Sequence, residues 1–195
     1  QTDKNKTVVY LYATDAEKQH SFIDKARAKG YDVLLMDGQL DAHFINHLEQ
    51  KLNEIRFVRV DADTIDKLIE KEETKESHLS PEERVDMSTV FESQVPERNK
   101  YTVSFEAIGE EESPIIITQS EFMRRMKDMS ALSGNDMFYG NMPDSYNLVV
   151  NTDHALVNKL IEQKNKKLSA KLSAIKDEIS PLSKEKDELE KANEK

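Results

Sequence analysis

Short apolar runs and amphipathic stretches alternate between residues 8 and 60, and few folds accommodate that order. Val8-Val9-Tyr10-Leu11-Tyr12 is continuously apolar, as a strand covered on both faces must be. Thr14 and Asp15 then offer oxygens to cap a helix running to about Lys29, with Phe22, Ile23 and Ala26 as its inward face. Gly30 suits the left-handed residue that ends such a helix, and Tyr31-Asp32-Val33-Leu34-Leu35-Met36 reads as the second strand. After an Asp37-Gly38 turn, Phe44, Ile45, Leu48 and Leu52 share one stripe of a helix from Asp41 to about Asn53. Phe57-Val58-Arg59-Val60 is the third strand. This order predicts an α/β unit over residues 1–70, a small parallel sheet with crossover helices.

The pattern then breaks. Residues 71–80 are charge-dense and read as a linker, and Ser80-Pro81-Glu82-Glu83 starts a fresh helix with proline in its first turn. From 81 to 160 the order is irregular: a helix to about Ser93, strands at Tyr101–Phe105 and Ser113–Thr118, a helix from Ser120 to about Leu132, and a strand at Tyr146–Val150. Such a mixture predicts a compact α+β domain. Beyond it, Leu168, Leu172, Ile175, Ile179, Leu182 and Leu189 recur at heptad spacing in residues 161–195, a long charged helix interrupted by Pro181. A mean hydropathy of −0.73 fits a chain in which this part is solvated.

Composition excludes several functions. A net charge of −10, with no local surplus of Lys and Arg outside the C-terminal tail, where acids are interspersed, disfavours nucleic acid. No apolar run approaches the ~20 residues of a membrane span. The chain holds no cysteine, which removes disulfides, thiol nucleophiles and Cys-ligated zinc, and fits a reducing compartment. There is no phosphate-binding glycine loop, no G-x-G-x-x-G and no H-E-x-x-H. Asp15 and Asp37 lie just past the first two strands, where open α/β sheets place ligands, so a small Mg²⁺-dependent phosphohydrolase is one alternative. Helix capping is the simpler role for both. His43 and His47 have a zinc-compatible spacing on one helix face, without an identifiable third ligand. A coiled-coil dimerisation adaptor built on Leu168–Leu189 is the other alternative.

Methionine gives the sharper signal. Five of the seven methionines fall between Met123 and Met142. Phe122, Met126 and Met129 form one stripe of the 120–132 helix, with Met123 at its flank and Leu132, Met137 and Phe138 continuing the apolar theme. Unbranched, polarizable methionine repacks around unlike partners, which promiscuous binders exploit, although the same residues could fill the domain's own core. Arg124, Arg125, Lys127 and Asp128 leave one face of that helix polar.

Three segments in order resemble the 90-kilodalton heat-shock chaperones in their bacterial form: Lys29–Asp41, the Ser113-Pro114-Ile115-Ile116 strand, and Asn151-Thr152-Asp153-His154-Ala155-Leu156-Val157. The resemblance runs from about Lys6 to Leu160. It implies the end of a middle domain followed by a C-terminal domain, in a piece cut at both ends: the ATPase domain lies upstream and the terminal dimerisation helices lie downstream. It further implies a cytoplasmic, homodimeric stress-response chaperone in which ATP and Mg²⁺ serve the full-length protein and no cofactor serves this segment. The partners implied are unfolded or partly folded client proteins and a second copy of the chain. By the same resemblance the 120–132 helix contacts client, through Phe122, Met123, Met126, Met129 and Leu132, with Met137 and Phe138 beside it. A second client contact in the family uses an acidic-aromatic pair, which here reads Ala42-His43, with Phe44 as the available aromatic. The family's F-D-G-K after that helix is also missing, since Lys51-Leu52-Asn53-Glu54-Ile55-Arg56 stands there.

Overall fold

The computed structural model describes residues 1–38, 40–71, 77–126 and 144–193, without the side chains of 42, 184 and 187–193. The first sheet has the strands β1 (Val8–Ala13), β2 (Val33–Leu35) and β3 (Ile55–Arg59) in the order β2-β1-β3. All its pairings are parallel, with Leu11 opposite Val33 on one side of β1 and Val58 on the other. Helix α1 (His20–Ala28) connects β1 to β2, and α2 (Asp41–Lys51) connects β2 to β3. The two-residue period of β1 decides which side chains meet which helix. Val9, Leu11 and Ala13 pack with Ile23 and Ala26 of α1 and with Leu68 of the short α3 (Ile65–Leu68). Tyr12 points the other way, into a second cluster with Ile45 of α2 and Phe57. The expected sheet with crossover helices is present, one helix on each face.

Local chemistry shifts one boundary. Thr14 and Asp15 do not cap α1. Asp15 Oδ1 accepts the amides of Glu17 and Lys18 at 3.1 and 3.0 Å, closing a turn ahead of the helix. Gln19 folds its Oε1 back onto the amides of Thr14 and Asp15, and α1 starts only at His20. The other end follows the sequence reading. Gly30 adopts φ +76°, its amide reaches Arg27 O and the Tyr31 amide reaches Ala26 O, the paired bonds of a left-handed helix stop.

The second sheet orders β4 (Tyr101–Glu106), β6 (Tyr146–Asn151) and β5 (Ile115–Thr118) as β4-β6-β5. β6 is central, parallel to β4 and antiparallel to β5. Helix α4 (Pro81–Glu92) begins with a reciprocal cap: Ser80 Oγ accepts the Glu83 amide and the Glu83 carboxylate accepts the Ser80 amide. Its buried Met87 packs with Leu79, Phe105, Leu148, Val150, Val157 and Ile161. The last two belong to the C-terminal helix Ala155–Asn193, which runs through Pro181.

Asn151 explains why the Asn-Thr-Asp-His turn exists. Fully buried at the end of β6, it donates to Gly109 O at 2.8 Å and accepts the Asp153 amide at 3.1 Å. Asp153 Oδ2 accepts the Gly109 amide at 2.9 Å, and Thr152 Oγ1 donates to Glu106 O. Gly109 sits at φ +109°, where a side chain would be strained. The loop after β4 is thus tied to the start of the C-terminal helix.

Candidate functional site

Residues 121–126 are helical, and we number this segment α5 and the C-terminal helix α6. The helix lies where the two sheets meet, and its polar side chains turn inward. Arg125 is the centre of the contact. Its Nη1 reaches Glu49 Oε2 at 2.6 Å and Asn46 Oδ1 at 3.2 Å on α2, and its Nη2 reaches the carbonyl of Phe57 on β3 at 2.6 Å. Its Nε holds Glu121 at 2.7 Å, one turn back on the same helix. Glu49 in turn accepts the Phe57 amide at 2.6 Å. Arg124, only 7% exposed, donates to Asp61 at 3.1 Å and to Gln119 Oε1 at 3.1 Å. Asp61 is also held by Arg59 through two bonds of 2.7 and 3.0 Å. Glu121 closes the set, accepting from the Tyr12 hydroxyl at 2.6 Å and from the Arg59 amide at 3.3 Å.

The electrostatics follow from this pairing. Burial works to raise the Asp61 carboxyl, but the hydrogen bond from Arg59 and the charge of Arg124 outweigh it and hold it below the usual carboxylate range. Burial also opposes the Arg125 charge, yet the bonds to Glu49 and Glu121 prevail and raise its pKa. For Arg124 burial prevails over the Asp61 charge and lowers it. Burial and then the Glu121 charge push the Tyr12 hydroxyl up, so it stays a donor.

With the arginines turned inward, Phe122 is the described member of the apolar stripe that points outward. Phe122 is 69% exposed, and Met123 and Met126 are half-buried. Met129, Leu132, Met137 and Phe138 lie outside the described residues. On α2, His43 is exposed and Phe44 is 54% exposed. His43, His47, Asn46, Glu49 and Gln50 line an open groove beside α5. Glu49, which lines this groove with the two histidines, is committed to Arg125 and the Phe57 amide. Among the described residues no group of three or more His, Cys, Asp or Glu side chains is arranged to hold a metal. The parallel register of Ala13 with Leu35 does bring Asp15 and Asp37 past the same, carboxyl, end of the sheet. Asp15, however, is occupied by the two amides of its turn and by Lys18 at 2.9 Å.

The arginine network was missed by sequence reading, which assigned Arg124 and Arg125 to a polar face without seeing that this face is the docked one. The only local trace was Glu121 four residues before Arg125, a helix ion pair. The partners Glu49 and Asp61 are more than sixty residues away in the chain.

A family model described as Hsp90 protein matches residues 1–180. The chain belongs to the Hsp90 family. It is 48% identical over 191 residues to the chaperone protein HtpG of Porphyromonas gingivalis (strain ATCC 33277), covering 97% of this chain and 28% of that protein. With chaperone protein htpG of Bacteroides fragilis (strain 638R) the identity is 45% over 196 residues, 100% of this chain and 29% of the relative. The corresponding protein of Bacteroides thetaiotaomicron is 44% identical over 191 residues. The resemblance first carried by three short segments therefore extends along the chain, which spans less than a third of the length of these Hsp90 relatives.

Proposed function

We propose that this chain is the client-binding and scaffold region of an ATP-driven chaperone, itself non-catalytic, with the α5 stripe as its gripping surface. The observation that carries this reading is the outward Phe122 on a helix whose polar side is fastened inward. Membership of the Hsp90 family and likeness to proteins named chaperone support it. In this reading residues 1–70 end a middle domain, 71–80 mark the boundary, and 81–160 form the body of the next domain. ATP and Mg²⁺ act elsewhere in the whole cytoplasmic protein, changing the space around α5 without touching it, and a second copy completes the assembly. Phe44, on the neighbouring helix α2, supplies a second apolar contact where the family has its acidic-aromatic pair.

The energetics suit a chaperone. Covering Phe122 contributes on the order of 1.5–3 kcal/mol and the half-buried Met126 less, and association costs consume much of that sum. Binding is then weak and reversible, as release of a folding client requires. The test is titration of a permanently unfolded protein, reduced and carboxymethylated α-lactalbumin, with the chain and its Phe122→Ala/Met126→Ala variant. A folded variant should bind roughly tenfold or more weakly. Equal affinity would remove the gripping role from this stripe.

A further inference from the structure

We infer that Arg125 is the positioning residue that sets how α5 presents Phe122, and that the gripping helix is carried by the first sheet unit although it belongs in sequence to the second. The inference rests on the client-binding reading above and adds how that surface is held and moved.

The bonds leaving α5 carry it. From Glu121, Arg124 and Arg125 they run to Tyr12, Asn46, Glu49, Phe57, Arg59 and Asp61, which lie on β1, α2 and β3 and in the turn after β3. The chain just before the helix is fixed the same way, since the Gln119 amide donates to Asp61 O at 3.2 Å. Arg125 is the member whose geometry cannot be replaced by a point charge. One planar guanidinium spans a carboxylate on α2, a carbonyl on β3 and a carboxylate on its own helix, which fixes α5 in direction as well as place. An ammonium keeps the charge but not the three directions. Because these groups are largely removed from water, removing one partner strands the others, and the helix has reason to stay docked.

A consequence for regulation follows. Any rearrangement that shifts the first sheet unit carries Phe122 with it, so a signal arriving through that unit moves the gripping surface directly. Two sets of ion pairs flank this coupling across the same seam, Lys67 with Glu106 and Lys25 with Glu112 at 2.7 Å. They join the units without touching α5.

The experiment uses the whole chain with 4-fluorophenylalanine at position 122 and compares Arg125→Met, Arg125→Lys and Glu49→Gln. Glu49→Gln approaches the same bond from the first unit and keeps an oxygen for the Phe57 amide, so it guards against a variant of α5 that fails to fold. The fluorine resonance of residue 122 and the affinity for carboxymethylated α-lactalbumin are read together, with circular dichroism as the check on folding. Arg125→Met and Glu49→Gln should each shift and broaden the fluorine signal and weaken binding roughly tenfold, with Arg125→Lys in between. An unchanged signal and unchanged affinity in folded Arg125→Met and Glu49→Gln would overturn the inference while leaving the gripping role intact. Should the fluorine signal move while affinity fails to respond even to Phe122→Ala/Met126→Ala, the positioning stands and the client reading falls.

Discussion

α5 and the distal half of α6 both present apolar side chains from otherwise charged helices, and they are held in opposite ways. The described turns of α5 are fastened by arginines to α2 and to the turn after β3 in the first sheet unit, and Phe122 is left outside at 69% exposure. α6 is fastened at its start, where Val157 and Ile161 enter the second core and Lys164 meets Asp86 at 3.1 Å. Past that start the described tie is a half-exposed ion pair, Lys176 to Asp86 at 2.8 Å, of a kind that contributes little. Further along, Ile175, Ile179 and Leu182 of the heptad seam are 51%, 56% and 64% exposed. A seam of that kind needs another helix before it contributes stability. Exposure alone does not separate a gripping surface from a solvated helix. Anchorage does, because a surface held in one orientation gives up less freedom when a partner arrives.

The sharpest challenge to this contrast is removal of an anchor. Met87 is fully buried between α4, the second sheet and the start of α6, so Met87→Ala should cost about 3 kcal/mol in urea unfolding. A loss below ~1 kcal/mol would mean that the start of α6 is not anchored through this core. The next effect concerns the arginine seam. Asp61→Asn removes the charge shared by Arg59 and Arg124 and should cost about 2 kcal/mol. The pH dependence has a definite sign. Since the Asp61 carboxyl is held below the usual carboxylate range when folded, its contribution is complete above the ordinary value of 3.8 and is lost as pH falls through the lower folded value. The wild-type chain should therefore lose this increment only below about pH 4, and the Asn variant should lack that component of the acid-induced loss. The smallest effect is expected on the seam. Ile175→Ala/Ile179→Ala should alter unfolding by about 0.5 kcal/mol or less. A larger loss, growing with protein concentration, would show that the seam is covered by a second copy.

The contrast also locates what the sequence could and could not reveal. The first sheet was legible because its determinants are local: a continuous apolar strand, Gly30 at a left-handed stop, and stripes on α1 and α2. So was the start of α4, where Ser80, Pro81 and Glu83 hold all the needed chemistry within four positions. The delayed start of α1 was hidden because Gln19, an ordinary polar residue in the sequence, takes the amides of Thr14 and Asp15. The inward face of α5 was hidden for a different reason. Adjacent arginines read as solvated until the fold brings Glu49 and Asp61 to them, and pairings of that range leave no periodic trace. The apolar stripe was legible as a stripe, but only the placement of those partners decides that Phe122 is the side left facing out.

Photo-crosslinking compares the two helices on equal terms. With benzoylphenylalanine at position 122 in one sample and 175 in another, each is irradiated beside carboxymethylated α-lactalbumin and the adducts are mapped by mass spectrometry. Abundant client adducts from 122, with few from 175, are the expected result. Adducts from 175 with none from 122, or links from 122 confined to its own chain, would contradict the claim that the anchored helix is the one that grips.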